Sequence, residues 1–290
     1  MDKSKLILKV KSYLNNLPEE IFDKNYLTTA SVFLSGSTGW GIKEGFDEIA
    51  DWDLHIILDN ISYEHYKKKY GEHHVIDDQQ HQPKVFAQIR SISWLDIRLQ
   101  NIQNADCTYL WIYNNALLIQ DNLHIEEKID EWNSFFKNNI EEILKYHFVT
   151  FAVRRLDAVS AIKRNTVIGT NISKIEMIKE ALIIISLLHQ SPYPYNKWME
   201  KYVLQLGEDG EKCVELCKRC IFEINFESNA RVLKNFLVAE IKKQVGNLPW
   251  LDEWWKYNEN PPVVYIQIIG GDHGILGIFY CFGFRKNRSQ

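Results

Sequence analysis

Apolar residues recur at helical spacing over residues 6–14, where Leu6, Ile7, Leu8, Val10, Tyr13 and Leu14 precede Pro18. This spacing predicts an opening helix that the proline closes. The period then shortens. Ser31-Val32-Phe33-Leu34 is a strand-like run that enters Ser35-Gly36-Ser37-Thr38-Gly39-Trp40-Gly41, a glycine-rich turn. A second strand is predicted over Trp52–Leu58, and residues 62–82 are polar enough to read as a short helix and loop. Lys84–Arg90 and Ser93–Leu99 are two further strand candidates, the second because Leu95, Ile97 and Leu99 alternate with Trp94, Asp96 and Arg98. Beyond residue 125 the 3.6-residue period takes over. Ile129–Lys163, Ile178–His189, Glu211–Ile224 and Ala230–Val245 read as helices, the last stopped by Gly246. Ser173-Lys174-Ile175-Glu176 has the form of a capping box in front of the second of these.

These elements predict an α+β chain. A small mixed-sheet domain over residues 1–125 precedes an all-α helical bundle over 126–258, and a hairpin-like tail occupies 259–290. Within that tail, Val263–Phe284 approaches the length of a bilayer helix. Its five glycines, Asp272, His273 and many β-branched residues instead predict a hairpin, Val263–Ile269 and Ile275–Phe284, and no membrane partner.

Composition narrows the classes. The 290 residues are 46% hydrophobic and 25% charged, which excludes a disordered chain. A net charge of −4 and the lack of a basic stripe argue against sustained nucleic-acid contacts. The charge is uneven, however. Residues 1–125 carry 12 Lys/Arg against 17 Asp/Glu, a net of −5, whereas the remainder is +1. Five irregularly spaced cysteines do not form a disulfide framework. Met1–Lys5 opens no long apolar run, so a cytoplasmic location is expected. Cys213, Cys217 and Cys220 share one helical stripe with no fourth ligand nearby, which predicts core residues rather than a zinc site.

The chemistry concentrates in two short segments. In Asp51-Trp52-Asp53-Leu54 the two carboxylates point to the same side of a strand and repel each other unless a cation lies between them. A hard divalent ion such as Mg²⁺, shared with phosphate oxygens, fits that pair. Upstream, Gly36, Gly39 and Gly41 allow backbone N–H groups to turn toward an anion, and Ser37 adds a hydroxyl donor. A cation pair beside a phosphate cradle suggests a metal-chelated nucleoside triphosphate. Asp96, an acid among apolar neighbours, is the candidate third carboxylate, either for a second metal ion or for the proton of an attacking hydroxyl. His55 shares the Asp51/Asp53 side and is read as a supporting residue.

Leu34-Gly36-Ser37, Asp51-x-Asp53 and Asp96, in this order, resemble the signature of the nucleotidyltransferase superfamily that includes DNA polymerase β. The loop between Ser37 and Asp51 is longer than is usual there and carries Glu44, Asp47 and Glu48. Arg154-Arg155-Leu156-Asp157 and His189-Gln190-Ser191-Pro192-Tyr193-Pro194-Tyr195-Asn196-Lys197-Trp198 resemble the helical domain of the antibiotic-type branch, the kanamycin, streptomycin and lincosamide enzymes. The resemblance covers roughly residues 20–255. It implies transfer of a nucleoside monophosphate from an NTP, ATP being the commonest donor, to a hydroxyl of an aminoglycoside- or lincosamide-like small molecule, with release of pyrophosphate. It also implies two Mg²⁺ ions on Asp51, Asp53 and Asp96, the β- and γ-phosphates on Gly36 and Ser37, and the triphosphate contacted by Lys197, with Tyr195 lining the same cleft. Protein hydroxyls, as in antitoxin-like AMPylating enzymes, and a binding module without catalysis are the alternatives.

Overall fold

The computed structural model of the chain describes residues 3–38 and 50–257. Gly39, Gly41, the acids Glu44, Asp47 and Glu48, and the 263–284 hairpin lie outside the described residues.

Five strands form one mixed sheet in the order β3-β4-β2-β1-β5: β1 Ser31–Ser35, β2 Trp52–Leu58, β3 Val75–Asp78, β4 Val85–Ser91 and β5 Leu117–Asp121. Only the β2–β4 pair is parallel; the other neighbours run antiparallel. Alternation along the central strands gives each face its own core. Val32, Leu34, Trp52, Leu54, Ile56, Ala87 and Ile89 pack beneath helix α1 (Lys3–Asn15) and helix α2 (Asn60–Tyr70), through Leu6, Val10, Leu14 and Tyr66. The opposite face sends Phe33 and Ile57 into a second core. That core continues without a break through α3 (Ile92–Gln100), α4 (Thr108–Asn115) and the long helices α5 (Ile125–Lys163) and α6 (Val167–Leu188). Helices α7 (Asn196–Leu204), α8 (Glu208–Phe222) and α9 (Phe226–Val245) complete the bundle, followed by the short α10 (Pro249–Asp252). The α+β class expected from the sequence is therefore the observed one.

Two expectations are corrected. Ser93–Leu99 is not a strand but most of α3. Ser91 caps it, its Oγ accepting the Trp94 N–H at 3.1 Å. Leu95 and Leu99 are buried while Ile97, between them, is 60% exposed, so the burial repeats every four residues rather than every two. Ser173 and Glu176 do not cap a helix either; they lie inside α6, which already starts at Val167 after Thr166. Residues 62–82 contain the edge strand β3 as well as most of α2. The stripe of Cys213, Cys217 and Cys220 is buried, as the spacing predicts. No helix among the described residues is long and apolar enough to cross a membrane.

Candidate functional site

Strand β2 carries the site because its two faces differ. Trp52, Leu54 and Ile56 are buried, whereas Asp53 and His55 are only half-buried on the face turned toward the bundle. The sheet's neighbours on that face follow from register: Ser35 of β1 pairs with Asp53, and Gln88 of β4 pairs with His55. A cleft of about 220 Å³ lies over these residues. Ser35, Asp53, His55, Phe86 and Gln88 form its floor, Trp111, Ile112 and Asn115 of α4 one wall, and Tyr195 and Lys197 the other.

Gly36 follows β1 with φ +70°, a conformation that costs a residue with a Cβ about 1–2 kcal/mol. It is also where the Asp53 carboxylate lies. A Cβ added at Gly36 would stand 2.0 Å from Asp53 Oδ2, so the missing side chain is what gives the carboxylate its place. The turn closes through Thr38, whose buried hydroxyl donates to the Asp51 carbonyl at 2.8 Å and so ties the glycine turn to the start of β2. Asp51 itself is exposed, immediately ahead of that strand. Burial holds the Asp53 carboxyl above the ordinary aspartate range; the Lys197 ammonium opposes the rise and the Asp51 charge adds to it. A cation bound beside Asp53 would reverse that rise. The Asp53 carboxylate, with room made by a glycine and a second carboxylate near enough to act on it, is the kind of oxygen donor a hard divalent ion takes.

Lys197 enters the cleft from the first turn of α7. Its ammonium lies 5.5 Å from the ring centroids of both Tyr195 and Trp198, and the Trp198 indole donates to the Tyr195 hydroxyl at 2.7 Å, fixing that ring. Among the described residues Lys197 has no salt-bridge partner within 4.0 Å, which leaves it available to an anion. Below it, hydrogen bonds run in one direction. The Ser35 hydroxyl donates to the Asp53 carbonyl at 3.1 Å, so it accepts from His55 Nε2 at 3.4 Å, and His55 Nδ1 accepts from the Tyr113 hydroxyl at 3.0 Å. Burial, with Arg90 nearby, lowers the His55 pKa to about 4, so the ring is neutral at pH 7 in keeping with this arrangement.

A second network joins the cleft walls from behind. The Ala105 carbonyl, just ahead of α4, accepts from the Tyr193 hydroxyl at 2.7 Å and from His147 Nε2 at 3.0 Å; His147 Nδ1 is hydrogen-bonded to Glu180 Oε2 at 2.6 Å. All three side chains are buried.

Of the residues singled out by the sequence, Gly36, Asp53, Lys197 and Tyr195 come together in the cleft, and Asp51 stands at the entry to β2 close enough to act on Asp53. Ser37 follows Gly36 but does not line the cleft. Asp96 is not brought to it. It sits on α3, where Lys128 of α5 holds it at 2.7 Å. Gln88, Trp111 and Asn115 are cleft residues that the sequence did not single out, because only strand pairing and the docking of α4 bring them there. His55 was noticed through its alternation with Asp53.

No family model matches the chain, and no curated protein does. Among solved structures the chain is similar to a nucleotidyltransferase-like protein from Exiguobacterium sibiricum 255-15. The two are 12% identical over 78% of this chain and 76% of that one, with a TM-score of 0.45.

Proposed function

We propose that the protein is a nucleotidyltransferase that moves a nucleoside monophosphate from an NTP, ATP by preference, to a hydroxyl of a small molecule of the aminoglycoside or lincosamide type. The observation that carries this reading is the Asp53 carboxylate filling the space that Gly36 leaves, in the same cleft as Lys197, whose ammonium acts on it. Asp51 and Asp53 would hold Mg²⁺, which supplies positive charge to the triphosphate. Lys197 stands where an ammonium can neutralise charge growing on departing pyrophosphate. Gly36 lets backbone approach the phosphates. Tyr195 offers aromatic surface for a ring of either substrate.

The test mixes the protein with each NTP and Mg²⁺, without and with hydroxyl-bearing antibiotics. Pyrophosphate is measured, and products are read by mass spectrometry. The expected result is pyrophosphate release that depends on the acceptor, lost in Asp53→Asn while the circular dichroism spectrum is kept. Full activity in that variant would falsify the assignment. A mass gain of one nucleotide on the protein itself or on an added protein would favour the AMPylating alternative.

A further inference from the structure

We infer that the cleft binds one divalent cation rather than two, and that Gln88 contacts the nucleotide as a hydrogen-bond donor. This deepens the proposed function and depends on it. The argument starts from strand register. β4 is the parallel neighbour of β2, and the side chains it places on the Asp53 face are Phe86, opposite Asp53, and Gln88, opposite His55. On the other flank β1 offers Ser35. A third carboxylate borne by the floor of this cleft would have to stand at one of those positions, and none does. Asp96 is committed to Lys128 on another element. Among the described residues no three His, Cys, Asp or Glu side chains converge on a point that could hold a metal ion.

Gln88 is not a neutral substitute for such a ligand, because Arg90 favours the opposite orientation of its amide. Arg90 Nη2 donates to Gln88 Oε1 at 3.4 Å. A guanidinium has only donors, so the amide oxygen belongs on the Arg90 side and the NH₂ is left to the cleft. That NH₂ has no hydrogen-bond partner among the described residues, and it is not sealed from solvent. An N–H directed into the cleft repels a cation and suits an oxygen or nitrogen acceptor on a ligand. Mg²⁺ dehydrates reluctantly and needs carboxylate oxygens to hold it. Asp51 and Asp53, together with triphosphate oxygens, supply one such ion; among the described residues no further carboxylate faces the cleft to hold a second.

The experiment counts Mn²⁺, standing in for Mg²⁺, by electron paramagnetic resonance of the full-length protein saturated with α,β-methylene-ATP. Calorimetry measures the analogue's affinity. The wild-type chain should hold one Mn²⁺ in the ternary complex. Gln88→Ala should keep one Mn²⁺ and bind the analogue roughly threefold to tenfold more weakly, the loss of one hydrogen bond. Gln88→Glu, which installs a carboxylate of the same shape, should take up a second Mn²⁺. Two ions in the wild-type complex overturn the inference and leave the nucleotide reading standing. So does unchanged analogue affinity in Gln88→Ala, or a single ion in Gln88→Glu. No analogue bound at any Mn²⁺ concentration overturns the nucleotide reading, and this inference with it.

Discussion

Replacing Gly36 by alanine separates two consequences of one methyl group. The first is conformational. At φ +70° the new Cβ costs about 1–2 kcal/mol. Gly71 supplies a control, since it has φ +97° and nothing within 4 Å of an added Cβ, so Gly71→Ala carries backbone strain alone. Both variants should therefore lose stability in urea denaturation, Gly71→Ala through its backbone alone, since φ +97° with ψ +157° is a region that glycine alone ordinarily enters. The second consequence belongs to Gly36 only. The new Cβ stands 2.0 Å from Asp53 Oδ2, whereas real Cβ contacts essentially never fall below 3.0 Å, so the carboxylate oxygen must retreat by about 1 Å. Asp53 Cγ, 2.9 Å from the new Cβ, must give way with it, so the clash adds a cost in folding as well as in rate. A displacement of that size in a reacting constellation costs on the order of 10²-fold in rate. Acceptor-dependent pyrophosphate release by Gly36→Ala should fall about 100-fold, and that by Gly71→Ala should stay near wild type. If the two variants differ in rate by less than threefold, the claim that Gly36 makes room for the Asp53 carboxylate is refuted.

Three other outcomes follow from the fold. Glu180→Ala strips the buried His147 of its partner at 2.6 Å and should cost about 3 kcal/mol in urea denaturation; a loss below about 1 kcal/mol contradicts the network's structural role. Burial holds the Cys107 thiol well above its usual range and pushes Cys220 up to about 12, while the contact with Cys213, reinforced by burial, raises Cys217. In a Cys281→Ser background, Ellman's reagent at pH 8 should therefore find no fast thiol before denaturation and four after it, and a fast native thiol counts against the packed stripe. Asp59 caps α2, accepting from Ile61 N and Ser62 N at 2.9 Å each, and its bonding to Ser62, against an opposing effect of burial, lowers its pKa. Asp59→Ala should cost about 1 kcal/mol, in full above pH ~4 where the unfolded aspartate is ionised, with the gap shrinking as pH falls through the lower folded pKa. A gap independent of pH between 6 and 2.5 refutes the charged cap.

What the sequence disclosed depended on how local each feature is. Gly36, Asp51 and Asp53 were readable because one strand, one turn and the next strand assemble them, and alternation along β2 sets their direction. The bundle was readable because its helices are long; Gly246, at φ +89°, ends α9 as its position suggested. Asp96 was misplaced because Leu95, Ile97 and Leu99 satisfy a two-residue period, while Leu95 and Leu99 alone satisfy a four-residue one. The Ser91 cap is the local signal for the helix, and the core beneath α3 leaves Ile97 outside. Gln88 was invisible for a different reason. Its importance comes from lying opposite His55 in a parallel pair, and the intervening α2 and β3 hide that pairing from any local pattern.

The Ala105 carbonyl has a consequence for how a ligand gets in. Tyr193 and His147 fasten it from the bundle, two residues upstream of Tyr195 and three ahead of α4, so both jaws of the cleft are clamped at their common root. Trp111 meets Tyr202 edge-on at 5.7 Å a turn further along. Any widening of the cleft at that root would first have to break these hydrogen bonds.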